Sequence, residues 1–504
     1  MSRPPLDVLC GFYFYPRGGS AYVARYLAGQ VPSHRARLRL LSGSLGPPGA
    51  VSNASTFFTG LANVNAVDYS SAAEAFRLGR DPLVEPVPMH ASYEDRRGVP
   101  DRLFAAAGPA MLAHQERFWS EQLAKAGVHQ ADVVHLHHLT PQLGPALASG
   151  RPVIVHLHGT ELKFLKGCER TGIENWNFAS LWLEYFRRHA QRLARLVAVS
   201  TDDAAAAVEL LGVSPNVVET IPNGVDTVEF ARQSLSADEQ RDCWRRWLVT
   251  EPLGWDESTV PGSVRYDEQT LDRLFPADGS RRIVLCVTRF LSFKRVGLLL
   301  RSFARIRAVA PSTTLVVWGG YPGEWEGEHP VVTARKLGLD NVVFPGFRNH
   351  SDLATAMSSA DLLVNTSAHE PFGLVLLQAM STGTPVLAAN AGGPAMYVST
   401  VFDRASGWLF EPENASSLEK TLLEALKSTA ELKRRGSNAS AFVAGHYSWS
   451  SIAERFANLY TDIVAGESVE LGRHYGERPM TRAGSPSDLA RRGRSADLLD
   501  GLPG

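Results

Sequence analysis

The sequence predicts an α/β protein of two domains, each built on a parallel sheet covered by helices. Three observations carry this. A chain of 504 residues has room for two or three domains with large cores. Short apolar runs rich in β-formers alternate with amphipathic helical stretches, the pattern of βα units on parallel sheets. The alternation breaks near residue 222 and restarts near residue 283, which calls for two sheets rather than one barrel.

Residues 6–14 form an apolar run, LDVLCGFYF. It reads as a first strand rather than a signal peptide, because Asp7 interrupts it and no small-residue cleavage site follows. Tyr15-Pro16-Arg17-Gly18-Gly19 then breaks the run. Ser20 is expected as the N-cap of a helix that places Ala24, Leu27, Ala28 and Val31 on one face. Residues 42–109 are rich in Gly, Pro, Ser and Asn and are expected to be mostly loop. Strands follow at 133–136, 153–157, 196–199 and 217–221, with a helix at 181–193. Pro222-Asn223-Gly224 is a turn, and the hinge is placed at 223–230. Residues 236–278 read as an insertion. The second half gives strands at 283–287, 314–318, 342–344, 362–364 and 386–388, with helices at 296–309 and 372–382. The last helix, 449–464, carries Ile452, Phe456, Leu459, Tyr460 and Ile463 on one face, so it docks on another part of the chain. The stretch 466–504 is Gly- and Pro-rich with almost no aromatics and is expected to be disordered.

Composition narrows the function. Hydrophobic residues are 44% and charged residues 20%, ordinary for a soluble globular protein. A formal net charge of −1 argues against a basic nucleic-acid binder. Cys10, Cys168, Cys243 and Cys286 lie far apart, so neither a disulfide framework nor zinc-ligand spacing is implied, and buried reduced thiols are expected. No run reaches the ~18 apolar residues of a membrane span.

Chemistry concentrates at a few places. In NTSAHEPFGLVLLQAM, residues 365–380, a strand ends near Asn365 and a loop carries His369 and Glu370. Phe372 and Gly373 open a helix whose free amides favour a phosphate, and Gly373 permits close approach. Glu370 stands where it can accept hydrogen bonds from sugar hydroxyls, and Gln378 lies two turns along on nearly the same face. An ordinary strand–loop–helix with a solvated Glu is the competing reading. Arg289 and Lys294 follow a strand, where two cations suit a pyrophosphate. Gly18-Gly19 resembles a phosphate-binding turn, a weak signal alone. His156 and His158 are read as pointing to opposite faces of an extended strand. At most one then faces the cleft, no third ligand stands at suitable spacing, and no metal is expected. His135, His137 and His138 carry the same ambiguity. The basic, aromatic helix 181–193 could touch an anionic membrane, but a solvated face over a core stripe is the simpler reading.

Taken together, these segments resemble a retaining, nucleotide-sugar-dependent glycosyltransferase of family four, with the glycosyltransferase-B fold. The matching pieces run in order: the Gly18-Gly19 loop, HLHGTE at 156–161, VAVS at 197–200, IPNGVD at 221–226, TRFLSFKR at 288–295, WGGYPG at 318–323, FPGFRNHSDL at 344–353 and HEPFGLVLLQAM at 369–380. The resemblance implies two Rossmann-like domains facing each other across a cleft. These are an acceptor-side domain at 1–225, completed by a crossover helix at 447–465, and a donor domain at 226–446. The 236–278 insertion and the tail lie outside the general pattern.

The resemblance also implies roles. Arg289 and Lys294 would hold the donor diphosphate, and Glu370 would meet hydroxyls of the donor sugar. The backbone of Phe372, Gly373 and Leu374 would meet sugar and phosphate. Gly18 and Gly19 would offer an amide to the diphosphate. Phe347 and Arg348 follow the glycine where the nucleobase rests. His158 would stand near the reacting carbon, and Thr160 and Glu161 where acceptor contacts are made. The family's Glu-x7-Glu motif has Gln378 in place of its second Glu, the residue that accepts from both ribose hydroxyls. Gln keeps one acceptor oxygen but also presents a donor amide.

The implied reaction moves a sugar from a nucleotide diphosphate, UDP first among the candidates, to an acceptor hydroxyl by front-face attack. It needs neither cofactor nor metal. Acceptors range over small molecules, polysaccharides and lipids, with membrane contact at most peripheral and a cytoplasmic location. The excess of Arg over Lys suggests a bacterial source of high GC content. Two alternatives stand beside this reading. One is a catalytically weak, sugar-nucleotide-binding partner subunit, which Gln378 alone favours. The other is a phosphorylase on the same fold, for which no lysine offers an obvious cofactor match.

Overall fold

The computed structural model describes residues 4–466 except 62, 95–97, 171–173 and 277–279. The expected disordered tail lies outside the described residues. Strands β1 (Leu6–Phe12), β2 (Ala36–Ser44), β3 (Val64–Asp68), β4 (Val133–His137), β5 (Val153–His156), β6 (Arg195–Ala198) and β7 (Val218–Thr220) form one sheet in the order β3-β2-β1-β4-β5-β6-β7. Strands β8 (Arg282–Thr288), β9 (Thr313–Gly319), β10 (Val342–Gly346), β11 (Leu362–Asn365), β12 (Val386–Ala389) and β13 (Gly407–Phe410) form a second, ordered β10-β9-β8-β11-β12-β13. Both are parallel throughout, as crossover helices require, and helices cover their faces. These are the two Rossmann-like domains of a glycosyltransferase-B fold. The strand order reverses between β1 and β4 and between β8 and β11. Ligands of such sheets bind beyond the strand ends at these points.

The chain crosses between domains twice, side by side. Val225 N–H donates to Tyr447 O at 2.8 Å, and Trp449 N–H donates to Val225 O at 3.3 Å. A Cβ on Gly224 would lie 2.7 Å from the Trp449 ring, so glycine lets the two crossings touch. The helix Trp449–Ala465 then docks on the first domain, with Ile452, Phe456 and Tyr460 fully buried in its core. This is the apolar face expected from its spacing.

Several expectations change. Residues 42–109 contain the end of β2, all of β3 and the helix Ser70–Arg77. Ser42, Gly43 and Ser44 are strand residues of β2, and Ser70 opens the helix, so small and polar residues here do not exclude regular structure. The first helix begins at Gly18, not after Ser20. Arg17 is extended at its N-cap, Gly18 takes φ 67°, and no side-chain hydrogen bond caps the start. The 236–278 insertion is part of the donor-domain core: Trp244 and Trp247 are fully buried and meet Trp318 edge-on. In the helix Ala179–Ala190, Trp182, Tyr185 and Phe186 are buried, so its aromatics form a core stripe. Cys10, Cys168 and Cys286 are buried and Cys243 is half-buried, all as free thiols. No helix among the described residues is long and apolar enough to cross a membrane.

Candidate active site

Three helix starts converge between the domains. Each opens on a left-handed glycine and lacks a side-chain cap: Gly18 in Gly18–Gln30, Gly159 before Thr160–Cys168, and Gly373 before Leu374–Ser381. Some other helix starts carry a Ser or Asn cap, as at Ser200, Asn349 and Ser448, and others, such as Ala179–Ala190, have none. Leaving the first amides uncapped keeps them free for an anion. The starts are close. A Cβ on Gly19 would lie 3.4 Å from Leu374 Cδ1, and one on Gly159 only 2.6 Å from Pro371.

The loop before Leu374 is rigidly held. Tyr397 Oη donates to Phe372 O at 2.7 Å, and Gly393 N–H donates to Glu370 O at 2.9 Å. A Cβ on Gly392 would strike Glu370 O at 2.2 Å, and one on Gly373 would meet Tyr397 Oη at 2.9 Å. The Phe372 side chain is buried against Tyr397 and Tyr447, so only its backbone is available to a ligand.

Lys294, after β8, donates from Nζ to Glu370 Oε2 at 2.7 Å, joining the ends of neighbouring strands β8 and β11. Ser367 Oγ and Asn365 Nδ2 donate to the same oxygen at 2.9 and 3.2 Å. Burial alone would raise the Glu370 pKa, but Lys294 and these hydrogen bonds outweigh it and hold the carboxyl below its ordinary value. Arg289 stands 39% exposed at the end of the same strand, its Nη1 bonded to Glu324 Oε1 at 3.1 Å. Gln378 lies half-buried, one turn into the helix that Gly373 opens.

Other expected residues have different surroundings. Glu161 is fully buried, so it cannot meet an acceptor. It accepts from His138 Nδ1 at 2.5 Å and from the His158 backbone N–H at 3.2 Å, and so fixes the loop that carries His158. Thr160 is half-buried and donates to Glu161 at 3.3 Å. Arg348 is turned away from the cleft: its guanidinium donates to Trp247 O at 2.9 Å and to Glu251 O, inside the insertion. Gly346 meets the insertion too, since a Cβ there would lie 2.1 Å from Leu253 O. Phe347 alone of this group stays 45% exposed, packed against Tyr321 with centroids 4.4 Å apart and ring planes tilted by 30°.

The histidines need the largest correction. Residues two apart on a strand share a face. His156 and His158 accordingly lie on the same side, with ring centroids 4.5 Å apart. His135 and His137 on β4 join them, and His137 is the register partner of His156. His137 Nδ1 lies 3.0 Å from His158 Nε2. Burial, reinforced by neighbouring imidazoles, pushes the His158 pKa well below its ordinary value.

The domains touch beside this site. Gly392 N–H donates to Asp202 Oδ2 at 3.0 Å, and His369 Nε2 lies 3.7 Å from Asp203 Oδ1. Tyr26 Oη donates to Glu229 at 2.7 Å, and Tyr22 stacks on His350 with centroids 4.5 Å apart. Asn365, Ser367, Tyr397 and Asp203 were not expected as site residues from the sequence. The first two lie within five residues of Glu370, a proximity that could have flagged them.

Two family models match the chain: Glycosyltransferase Family 4 over residues 78–229, and Glycosyl transferases group 1 over residues 267–442. The chain is 28% identical over 278 residues to the D-inositol 3-phosphate glycosyltransferase of Salinispora arenicola, covering 54% of this chain and 55% of that one. It is 24% identical over 351 residues to an uncharacterized glycosyltransferase of Methanocaldococcus jannaschii, covering 68% and 79%. The chain spans about half the length of the Salinispora relative and less of some others. Among solved structures, Anabaena Alr3699/HepE in complex with UDP and glucose matches with a TM-score of 0.59 at 19% identity, over 90% of this chain and 99% of that one. Sucrose-phosphate synthase from Thermosynechococcus elongatus matches with a TM-score of 0.58 at 19% identity, over 92% and 100%. These two likenesses concern the fold.

Proposed function

We propose that this chain, matched in both halves by glycosyltransferase family models and built on the glycosyltransferase-B fold, moves a sugar from a nucleoside diphosphate to an acceptor hydroxyl with retention at the anomeric carbon. One observation carries the reading. The uncapped starts of Gly18–Gln30 and Leu374–Ser381 meet across the cleft, with the Lys294–Glu370 pair at the same edge. Amides from two helix ends, with Lys294 and Arg289, suit a diphosphate.

In this reading the acceptor oxygen attacks the anomeric carbon from the side on which the diphosphate leaves. The bond from that carbon to the diphosphate oxygen breaks, the new glycosidic bond forms, and the acceptor's proton passes to the departing oxygen. Lys294, Arg289 and the helix starts stabilise the charge that develops there. They supply what a metal at the diphosphate would supply, so none is invoked at that place. Glu370 orients Lys294 and leaves its second oxygen for hydroxyls of the sugar. The contacts between domains exclude water from the reacting carbon. The exposed Phe347–Tyr321 pair lies beside the glycine turn of the donor domain and offers the nucleobase an aromatic surface. The UDP in the Anabaena neighbour makes uridine the first base to assay.

The test is incubation of the purified protein with labelled UDP-, GDP- and ADP-sugars, reading release of the nucleoside diphosphate. Release with one nucleotide class is expected. The absence of both release and thermal shift with all of them overturns the reading.

A further inference from the structure

We propose that His135, His137 and His156 together hold a divalent transition-metal ion, zinc in the first instance, beneath the loop that carries His158. Each of the three offers one imidazole nitrogen, and these nitrogens lie within 4.8 Å of one another. All three residues are fully buried. Three imidazoles form an established zinc donor set, with a fourth position for a non-protein ligand.

The hydrogen bonds around the cluster leave the right atoms open. Among the described residues, His135 Nε2, His137 Nε2 and both nitrogens of His156 are buried without a hydrogen-bond partner. An imidazole nitrogen buried and unbonded is destabilising, and four in one place call for a ligand. The other nitrogens of two rings are already engaged. His135 Nδ1 lies 2.7 Å from Tyr460 Oη, and His137 Nδ1 lies 3.0 Å from His158 Nε2. Outer contacts of this kind orient a ligating histidine and place its lone pair on the opposite nitrogen.

A bound ion would act on two neighbours. With His137 Nε2 on the metal, its Nδ1–H donates to His158 Nε2. His158 then carries its own proton on Nδ1, so the ion sets the tautomer of a ring at the reaction cleft. Through His135 and Tyr460 it also ties β4 and β5 to the helix Trp449–Ala465.

The experiment uses the full chain without a polyhistidine tag, expressed in zinc- and in cobalt-supplemented medium and analysed for metal by mass spectrometry. About one ion per chain is expected, with visible d–d absorption from the cobalt form. His156→Gln, folded by circular dichroism, should fall to about a tenth of that occupancy or less. Folded wild-type protein without metal from either medium overturns the proposal, as does His156→Gln with undiminished metal. Should that variant not fold, zinc-edge X-ray absorption of the wild type decides. Scattering from three imidazoles supports the site, and any other ligand set overturns it.

Discussion

Lys294 Nζ lies 2.7 Å from Glu370 Oε2, which joins a cation after β8 to an acid after β11 where the strand order of the donor domain reverses. Their side chains are 16% and 13% exposed, so each holds the other in place with little help from solvent. The cation is thus positioned before any substrate arrives.

Lys294→Ala and Arg289→Ala are each expected to slow transfer by about 10²-fold, since each removes a partner of the developing phosphate charge. Their stabilities should differ. Arg289 loses a half-exposed contact with Glu324, whereas Lys294→Ala strands the Glu370 carboxylate at a cost of about 1–3 kcal/mol. The double variant Lys294→Ala/Glu370→Gln should regain most of the stability and none of the activity. Steady-state rates and melting temperatures decide; wild-type turnover in either single variant contradicts the assignment.

Gly373→Ala should destabilise the protein and suppress activity together. Its φ of 85° costs an L-residue about 1–2 kcal/mol, and the new Cβ would press on Tyr397 Oη and Glu370 Cγ at 2.9 and 3.1 Å. Urea denaturation measures the loss. A neutral result would mean that the loop conformation is not required.

His369 and Asp203 make stability across the domain contact depend on pH. Asp203, its carboxylate 3.7 Å away, raises the His369 pKa against the opposing effect of burial; Asp202 and Glu370 add to the rise. The stabilisation is therefore complete below the unfolded value of about 6.5 and is lost as pH rises through the raised folded value. Burial raises the Asp203 pKa more than His369 lowers it, so Asp203 also favours the folded state at lower pH, in the acid range. With His369 54% exposed, the pair contributes at most about 1 kcal/mol. Melting temperatures of the wild type and His369→Gln should converge from pH 6 towards pH 9; a constant gap would contradict the pairing.

Gln378→Glu should tighten nucleoside diphosphate binding by roughly 1 kcal/mol if this side chain meets the ribose, because a carboxylate accepts from both hydroxyls. Weaker binding would show that a neighbour accepts from the Gln378 amide. Calorimetry with UDP, GDP and ADP separates the cases, and no change with any of them removes Gln378 from the ribose.

The sequence was legible where periodicity and local chemistry coincide. The strands before Gly18, Lys294 and Glu370 are short, mostly apolar runs, and the face of Ile452, Phe456 and Tyr460 announced a docked helix. β2 and β3 were hidden because Gly43 and Ser44 read as turn residues inside a strand. Arg348 was misplaced because its partners, the Trp247 and Glu251 carbonyls, belong to an insertion about a hundred residues away. The histidine cluster was missed through a wrong assignment of strand faces. Even the right one would have needed the register of β4 on β5, which no local pattern supplies.

In the proposed reading the gap between Gly19 and Leu374 receives the diphosphate, and Gly19→Ala tests this with opposite signs on two readouts. The added methyl meets only Leu374 Cδ1, at 3.4 Å, and Gly19 lies in a helix outside the left-handed region, so the fold should be unharmed or slightly stabilised. Calorimetric titration with the preferred nucleoside diphosphate should show affinity reduced about tenfold or more, or at least ~1.4 kcal/mol. Undiminished affinity in a folded Gly19→Ala protein would contradict the placement of the diphosphate between the two helix starts.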